Sequence, residues 1–330
     1  MTDPVVRIGL LGCAEIARRR LLPVIATHPG LRLTAAASRS PAKADAVAAQ
    51  YGCRAVYDYD ELLTRDDVDA VYAPVPAALH ARWVEAALKA GKHVLSEKPL
   101  TTRTDRTRDL LSLADGLGLV LMENMMFVHH SQHTAVRRLL DEGAIGELQD
   151  FQASFAIPAL PPDDIRYDAE LGGGALRELG VYPIRAALHL LGAELRVVGA
   201  VLRAGPGRRV ETSGAALLTR PDGVSIQLTF GLDHAYRCRY QLWGTEGRIT
   251  LDRAFTPPAD HRPVLVVDGR TGGSREIVLP ADDQVGNTLS AFAAAVRSGT
   301  SPDHSECLRQ AHLLDEVYRV AAPTSTWGTT

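Results

Sequence analysis

The sequence predicts an α/β amino-terminal domain of Rossmann type followed by an α+β carboxyl-terminal domain whose sheet is mostly antiparallel. Three observations carry that expectation. A chain of 330 residues has room for two domains of about 150 residues each. From Val5 to about Leu148, short apolar runs alternate with longer amphipathic ones, which is the pattern of a parallel sheet with helices on both faces. From about Gln149, strand-like runs follow one another with turns between them. We place the domains at residues 1–125 and 126–330.

In the first domain "VVRIGLLG" reads as a strand, "AEIARRRLLPVIATH" as a helix and "LRLTAAAS" as the second strand. Helices follow at Pro41–Tyr51, Ala77–Ala90 and Thr104–Leu117, with "DAVYAPVP", "HVLSEK" and "GLVLMENM" as strands among them. Gly91 stands just past Ala90, where a left-handed cap ends a helix. In the second domain the strands are "LQDFQASFAI", "LRVVGAVL", "GAALLTR", "VSIQLTFGL", "CRYQLWG" and "GRITLD", with "PDG" and "GTEG" as turns. Helices fit Leu171–Leu191, Val285–Ser298 and Ser305–Val320.

Composition narrows the function. A net charge of -3 with no long block of one sign gives no surface for nucleic acid. The triplet Arg18-Arg19-Arg20 reads as a solvated helix face. Cys13, Cys53, Cys238 and Cys307 are far apart and never in C-x-x-C spacing, so neither a zinc site nor a disulfide framework is expected. Residues 1–8 lack the order of a signal peptide, and no apolar run reaches the roughly 18 residues of a membrane span. A cytoplasmic protein with no membrane partner is the expectation.

Gly12-Cys13-Ala14-Glu15-Ile16-Ala17 lies where the first strand turns into a helix, the position at which glycines let a backbone approach a dinucleotide pyrophosphate. Ala14 replaces the usual middle glycine, which weakens the motif without moving it. The second strand ends in Ser38-Arg39-Ser40, followed by Lys43, where an acidic residue would hold the ribose hydroxyls of NAD. A hydroxyl and a guanidinium bind a 2′-phosphate instead, so NADPH/NADP+ is the expected cofactor, with a plain surface arginine as the alternative for Arg39. Two further strands end in "APVP", which includes Pro76, and in Glu97-Lys98-Pro99. Ligands sit outside these carboxyl ends in a doubly wound sheet. Lys98 is therefore expected near the nicotinamide, directed by Pro99 through a bond open to the cis form. Glu97 has two roles open to it, orienting the ribose or pairing with the ammonium.

The order "GCAEIA", "SEKPLTT", "LMENMMFVHHSQH", "IRYDAELGGGALRELGVYPIRAA" and "LTFGLDHAYRCRY" resembles the Gfo/Idh/MocA family of NAD(P)-dependent oxidoreductases over nearly the whole chain, and within it the sugar 3-ketoreductases of deoxysugar biosynthesis. The resemblance implies an open-faced sheet in the second domain, whose exposed face supports a homodimer or homotetramer. It places the lysine of the E-K-P motif at Lys98 and the second catalytic position at Tyr182, with Glu178 where the family pattern has aspartate. Inositol-dehydrogenase-like members carry histidine and, three residues on, aspartate; here the pair is Tyr182 and Arg185. A phenol, with a reference pKa of about 10, is better suited to donate a proton than to accept one, which favours ketone reduction. The implied substrate is a dTDP-linked 3-keto-6-deoxyhexose, with Arg166 on the sugar or its diphosphate and His80 and Asn124 on the nicotinamide side.

His234 and Tyr236 are candidates to touch the nucleotide, with a satisfied sheet edge as the alternative. His129, His130 and His133 cluster without a carboxylate or cysteine at ligand spacing, so no metal is expected. Gly172-Gly173-Gly174 reads as a close-approach turn rather than a phosphate cradle. Two rival functions stand beside the reductase: a family dehydrogenase acting on a free sugar, cyclitol or dihydrodiol, and a dinucleotide-binding regulator without turnover. The second has no need for Lys98 and Tyr182 together.

Overall fold

Two sheets, each with its own core, organise the residues described in a computed structural model of the chain, 4–192 and 194–321. The first three residues of the amino-terminal stretch considered above lie outside them. The chain divides into one unit running to His129 together with Asp283–Leu308, and a second formed by His130–Asp282 with the chain from Arg309 onward.

In the first unit β1 (Val6–Leu11), β2 (Leu31–Ala37), β3 (Arg54–Val56), β4 (Ala70–Ala73), β5 (His93–Ser96) and β6 (Leu121–Glu123) form a wholly parallel sheet in the order β3-β2-β1-β4-β5-β6. Every residue of β4 and all but one of β1 are buried, as expected of strands covered on both faces. The strand order reverses between β1 and β4, so the loops leaving these two strands flank the point where such sheets hold ligands. Beyond β1 the helix begins at Glu15, passes through a π-helical turn at Ala17–Leu21 and continues as α1 (Leu22–Thr27). Pro23, which has no amide proton for an intrahelical bond, sits just after the widened turn. The other covering helices are α2 (Pro41–Tyr51), α3 (Tyr59–Leu63), α4 (Ala77–Lys89) and α5 (Thr104–Leu117). Gly91 takes φ of 74° just beyond α4, the left-handed cap its position predicts.

In the second unit α6 (Ser131–Asp141) and α7 (Val181–Leu191) accompany eight strands: β7 (Leu148–Ala156), β8 (Arg196–Ala204), β9 (Glu211–Thr219), β10 (Ser225–Gly231), β11 (Arg237–Gly244), β12 (Gly247–Asp252), β13 (Val264–Gly269) and β14 (Ser274–Val278). Their order is β14-β13-β12-β11-β7-β10-β9-β8, and only the β7–β10 pair is parallel. β13 and β14 add an edge beyond the strands named from sequence. α7 packs on β7 and β10, burying Phe151, Phe155, Ile226 and Phe230, while Val201, Leu217 and Trp243 stay exposed on the other face. One face of this sheet is thus open.

The helical stretch expected from Leu171 begins later. Gly172 and Gly174 have φ of 81° and 120°, and helix starts only with the π-helical turn Leu176–Gly180 that leads into α7. The helix α8 (Gln284–Ser298) also departs from the boundary at 125, because it belongs to the first unit. Its Val285, Leu289, Phe292 and Ala293 share a core with Leu22, Ile25 and Leu31. The last helix, α9 (Ser305–Ala321), starts in the first unit and continues in the second. Phe292 is fully buried, so Phe292→Ala should destabilise the first unit by about 3–5 kcal/mol in chemical denaturation. A loss below about 1 kcal/mol would show that α8 does not fill this core.

Candidate active site

The turn after β1 is built on Gly12. Its φ of 106° suits glycine, its amide donates to the Ala37 carbonyl at 3.0 Å, and a Cβ there would lie 3.2 Å from Val75 and 3.4 Å from the Tyr59 hydroxyl. Ala14 donates its amide to the Gly12 carbonyl, and Ile16 is half-buried at the start of the helix. Cys13 is buried; burial pushes its thiol up, and Arg18 and Lys43 pull it back. Glu15 is exposed and pairs with Arg19. At the end of β2, the Ser38 hydroxyl accepts from the Ser40 amide, and the exposed Arg39 reaches the Tyr59 hydroxyl. Pro76, half-buried, precedes α4.

Gly12, Ser38, Arg39, Lys43 and Pro76 therefore surround the two loops at the switch point, with cations and hydroxyls where NAD-specific sites carry a carboxylate. These residues fit a dinucleotide bearing a 2′-phosphate. Tyr59, set edge-on against Trp83 with centroids 4.9 Å apart, was not found by motif. The sequence signal for it is the Asp58 cap, which starts α3 and so directs the next residue's ring.

The Glu97-Lys98-Pro99 turn leaves β5 with a cis Lys98–Pro99 bond and Lys98 half-buried. Glu97, only 8% exposed, accepts from the Tyr72 hydroxyl at 2.7 Å and from Asn124 Nδ2 at 2.6 Å. Burial and then Glu97 push the Tyr72 phenol well above its ordinary value, so Tyr72 stays a donor. Of the two roles open to Glu97, the structure shows it fixed by β4 and by the residue after β6. The Leu100 amide donates to Glu123 Oε1 at 2.8 Å. His80 is 1% exposed, and both its ring nitrogens meet main-chain carbonyls, Nδ1 at Pro99 (2.8 Å) and Nε2 at Val75 (2.7 Å). It offers neither nitrogen to a ligand.

In the second unit Tyr182 opens α7, half-buried, with its ring edge-on to Phe155 at 5.0 Å and against Phe255 at 5.9 Å. Glu178, one turn earlier, lies 3.6 Å from Arg166, which also pairs with Asp164 at 3.0 Å. Arg166 is thus held between two carboxylates. The three glycines make close approaches: a Cβ on Gly173 would lie 2.4 Å from the Arg166 carbonyl, and one on Gly174 equally close to the Glu211 carboxylate. Glu211 accepts from the Leu176 amide at the start of this helix and from the Tyr318 hydroxyl.

The structure does not gather all second-domain candidates on one side of the sheet. Tyr182 is on the face covered by α7, whereas His234 lines a groove of about 600 Å³ with Ser154, Ala215, Thr229 and Arg237 on the open face. Tyr236, beyond His234, is half exposed. Among the described residues no group of three or more His, Cys, Asp or Glu could hold a metal, and no helix is long and apolar enough to cross a membrane.

The histidines before α6 serve the core instead. His130 caps α6 by accepting from the Gln132 amide, and His133 bonds the Tyr240 hydroxyl at 2.9 Å. Burial, then His189 and His130, hold His133 well below its usual value, so it stays neutral while the unfolded chain takes up a proton. Stability should therefore fall as pH drops below about 6.5, by up to about 1.4 kcal/mol per unit from this group. His133→Gln should flatten that slope in urea midpoints measured from pH 7 to pH 5; an unchanged slope would contradict the assignment.

Family models match both halves of the chain: the NAD-binding Rossmann-fold oxidoreductase model at residues 6–125 and the GFO/IDH/MocA carboxyl-terminal domain model at 133–250. The chain belongs to the GFO/IDH/MocA family of oxidoreductases. Within that family it is 55% identical over 326 residues, 96% of this chain and 95% of the other, to a dTDP-3,4-didehydro-2,6-dideoxy-α-D-glucose 3-reductase of Streptomyces violaceoruber. A solved 3-ketoreductase from Actinomadura kijaniata, in complex with NADP and TDP-benzene, superposes with a TM-score of 0.94 at 50% identity, covering 96% of this chain and 98% of that one. A D-xylose 1-dehydrogenase (NADP+) of Haloferax volcanii is more distant, 32% identical over 320 residues, 95% of this chain and 96% of the other.

Proposed function

We propose that this enzyme reduces the C3 ketone of a dTDP-linked 3-keto-6-deoxyhexose with NADPH, in deoxysugar biosynthesis. The observation that carries the reading is the retention of both chemical positions in a chain similar to such reductases over nearly its whole length. Structures of the Actinomadura enzyme include variants at one lysine and one tyrosine, and those positions are separated by 84 residues, the spacing of Lys98 and Tyr182.

NADPH supplies the hydride when bound. Gly12, Cys13, Ala14, Glu15 and Ile16 form the backbone turn for its pyrophosphate, and Ser38, Arg39 and Lys43 hold the 2′-phosphate, with Pro76 beside the nicotinamide end. Glu97 and Asn124 shape that end as a hydrogen-bonded pair. As the C3 carbonyl accepts hydride, charge develops on its oxygen; the Lys98 ammonium stabilises that charge, and the Tyr182 hydroxyl donates the proton. Arg166, steadied by Asp164 and Glu178, contacts the sugar or its diphosphate. Tyr236, just beyond β10, is the remaining nucleotide contact we assign; His234, on the open face away from Tyr182, is not one. The relatives' name indicates a 2,6-dideoxy sugar with two adjacent ketones at C3 and C4, of which C3 is the one reduced. The exposed Val201, Leu217 and Trp243 make the open sheet face the surface for a homo-oligomer.

Consumption of NADPH with a dTDP-3-keto-6-deoxyhexose generated in place tests the activity directly. Tyr182→Phe should lower kcat by about 100-fold or more with nearly unchanged NADPH affinity, and full retained turnover would remove Tyr182 as the acid. Arg39→Ala should weaken NADPH by about 10- to 100-fold while leaving NADH use unchanged. Reduction of NADP+ by free polyols, with no turnover of the nucleotide sugar, would point to another member of the family.

A further inference from the structure

His80 is placed as no neutral histidine can be satisfied. A neutral imidazole carries one N–H and one lone pair, yet here a carbonyl oxygen stands 2.8 Å from Nδ1 and another 2.7 Å from Nε2. With one proton, the bare nitrogen would direct its lone pair at a carbonyl oxygen in a buried site. With two protons, both contacts become charge-assisted donations. We propose that His80 is a buried imidazolium that donates to the Val75 and Pro99 carbonyls and thereby positions Lys98.

The charges around the ring do not carry this, since on balance, with burial the largest influence, they hold the imidazole below its ordinary value. Burial pushes the imidazole down from its ordinary value, the two carbonyls and then Glu97 pull it up, and Lys98 pushes it down. Glu97 accepts from both Tyr72 and Asn124 through its Oε1. The geometry decides between these opposing influences, because only the doubly protonated ring leaves neither carbonyl facing a lone pair.

The consequence falls on Lys98. The carbonyl of Pro99, directly after it, is held by His80; the side chain of Glu97, directly before it, is held by Tyr72 and Asn124; and the amide of Leu100 is held by Glu123. His80 also holds the carbonyl of Val75, which packs against the Gly12 turn, so one ring ties the glycine-loop side of the switch point to the lysine turn. His80 is a positioning residue, and its link to catalysis rests on the role proposed for Lys98.

The test uses the intact protein labelled with nitrogen-15 in its histidines. At about pH 9, well above the ordinary imidazole value near 6.5, ordinary histidines are neutral. One of the 11 histidines should keep the imidazolium pattern, with protons on both ring nitrogens, and through-bond correlation to its own backbone should assign it to His80. A neutral His80 ring at that pH in the folded protein overturns the proposal, and this needs no variant. His80→Gln, which cannot donate from two opposed nitrogens, should lower kcat on the order of 10- to 100-fold with little change in KM for NADPH. A folded variant with full kcat overturns the positioning role. If the wild type shows the imidazolium but no turnover of the nucleotide sugar, the proposed substrate fails while the protonation stands.

Discussion

The first unit depends on one constraint, that a carboxylate buried at the end of β5 must be hydrogen-bonded from within the protein. An ionised carboxylate loses several kcal/mol of hydration on burial unless donors replace the water. Glu97 finds them in Tyr72 on β4 and Asn124 just after β6. Three neighbouring strands are thereby tied at their carboxyl ends, where a doubly wound sheet binds its ligands. The turn that carries Lys98 is flanked by groups hydrogen-bonded on both sides, Glu97 before it and the Pro99 carbonyl and Leu100 amide after it.

This network explains which parts of the site were legible in the sequence. Gly12, Ser38, Arg39 and Glu97-Lys98-Pro99 are local signals: each lies within a few residues of a strand end, and its chemistry follows from that position. Tyr72 was silent and Tyr59 marked only by the Asp58 cap before it, because a tyrosine within an apolar strand or at the first turn of a short helix otherwise looks like any core aromatic. Their roles come from residues 25 and 20 positions away, through contacts that only the parallel sheet creates. His80 was visible, but its partners were not: main-chain carbonyls leave no mark in a sequence.

The same distinction holds for the fold. The alternation of strands and helices showed the Rossmann unit, and the run of strands showed the second sheet. The partner of α8 was hidden, since an apolar stripe at helical spacing says that a helix is buried and not against what. The triple glycine was readable as a close approach because glycines with φ of 81° and 120° and no room for a Cβ leave little choice of residue. That turn delays the start of the helix and sets Tyr182 at the beginning of α7, against Phe155 and Phe255.

The proposed direction of the chemistry rests on the residue types at the two proposed positions. A family member that oxidises an alcohol needs a base, and a histidine with an aspartate behind it serves as one. Here the corresponding ring is a phenol packed against two phenylalanines, and the position of the supporting carboxylate is taken by Arg185. Aromatic packing against Phe155 and Phe255 orients the Tyr182 ring. A phenol and an ammonium, the groups proposed as proton donor and charge stabiliser, are suited to a transition state in which oxygen gains negative charge. Oxidation would begin by stripping a proton from an alcohol, a step that calls for a base rather than for the donor and cation proposed here. Reduction is thus the direction in which the two proposed roles, stabilising charge on oxygen and donating a proton to it, both serve.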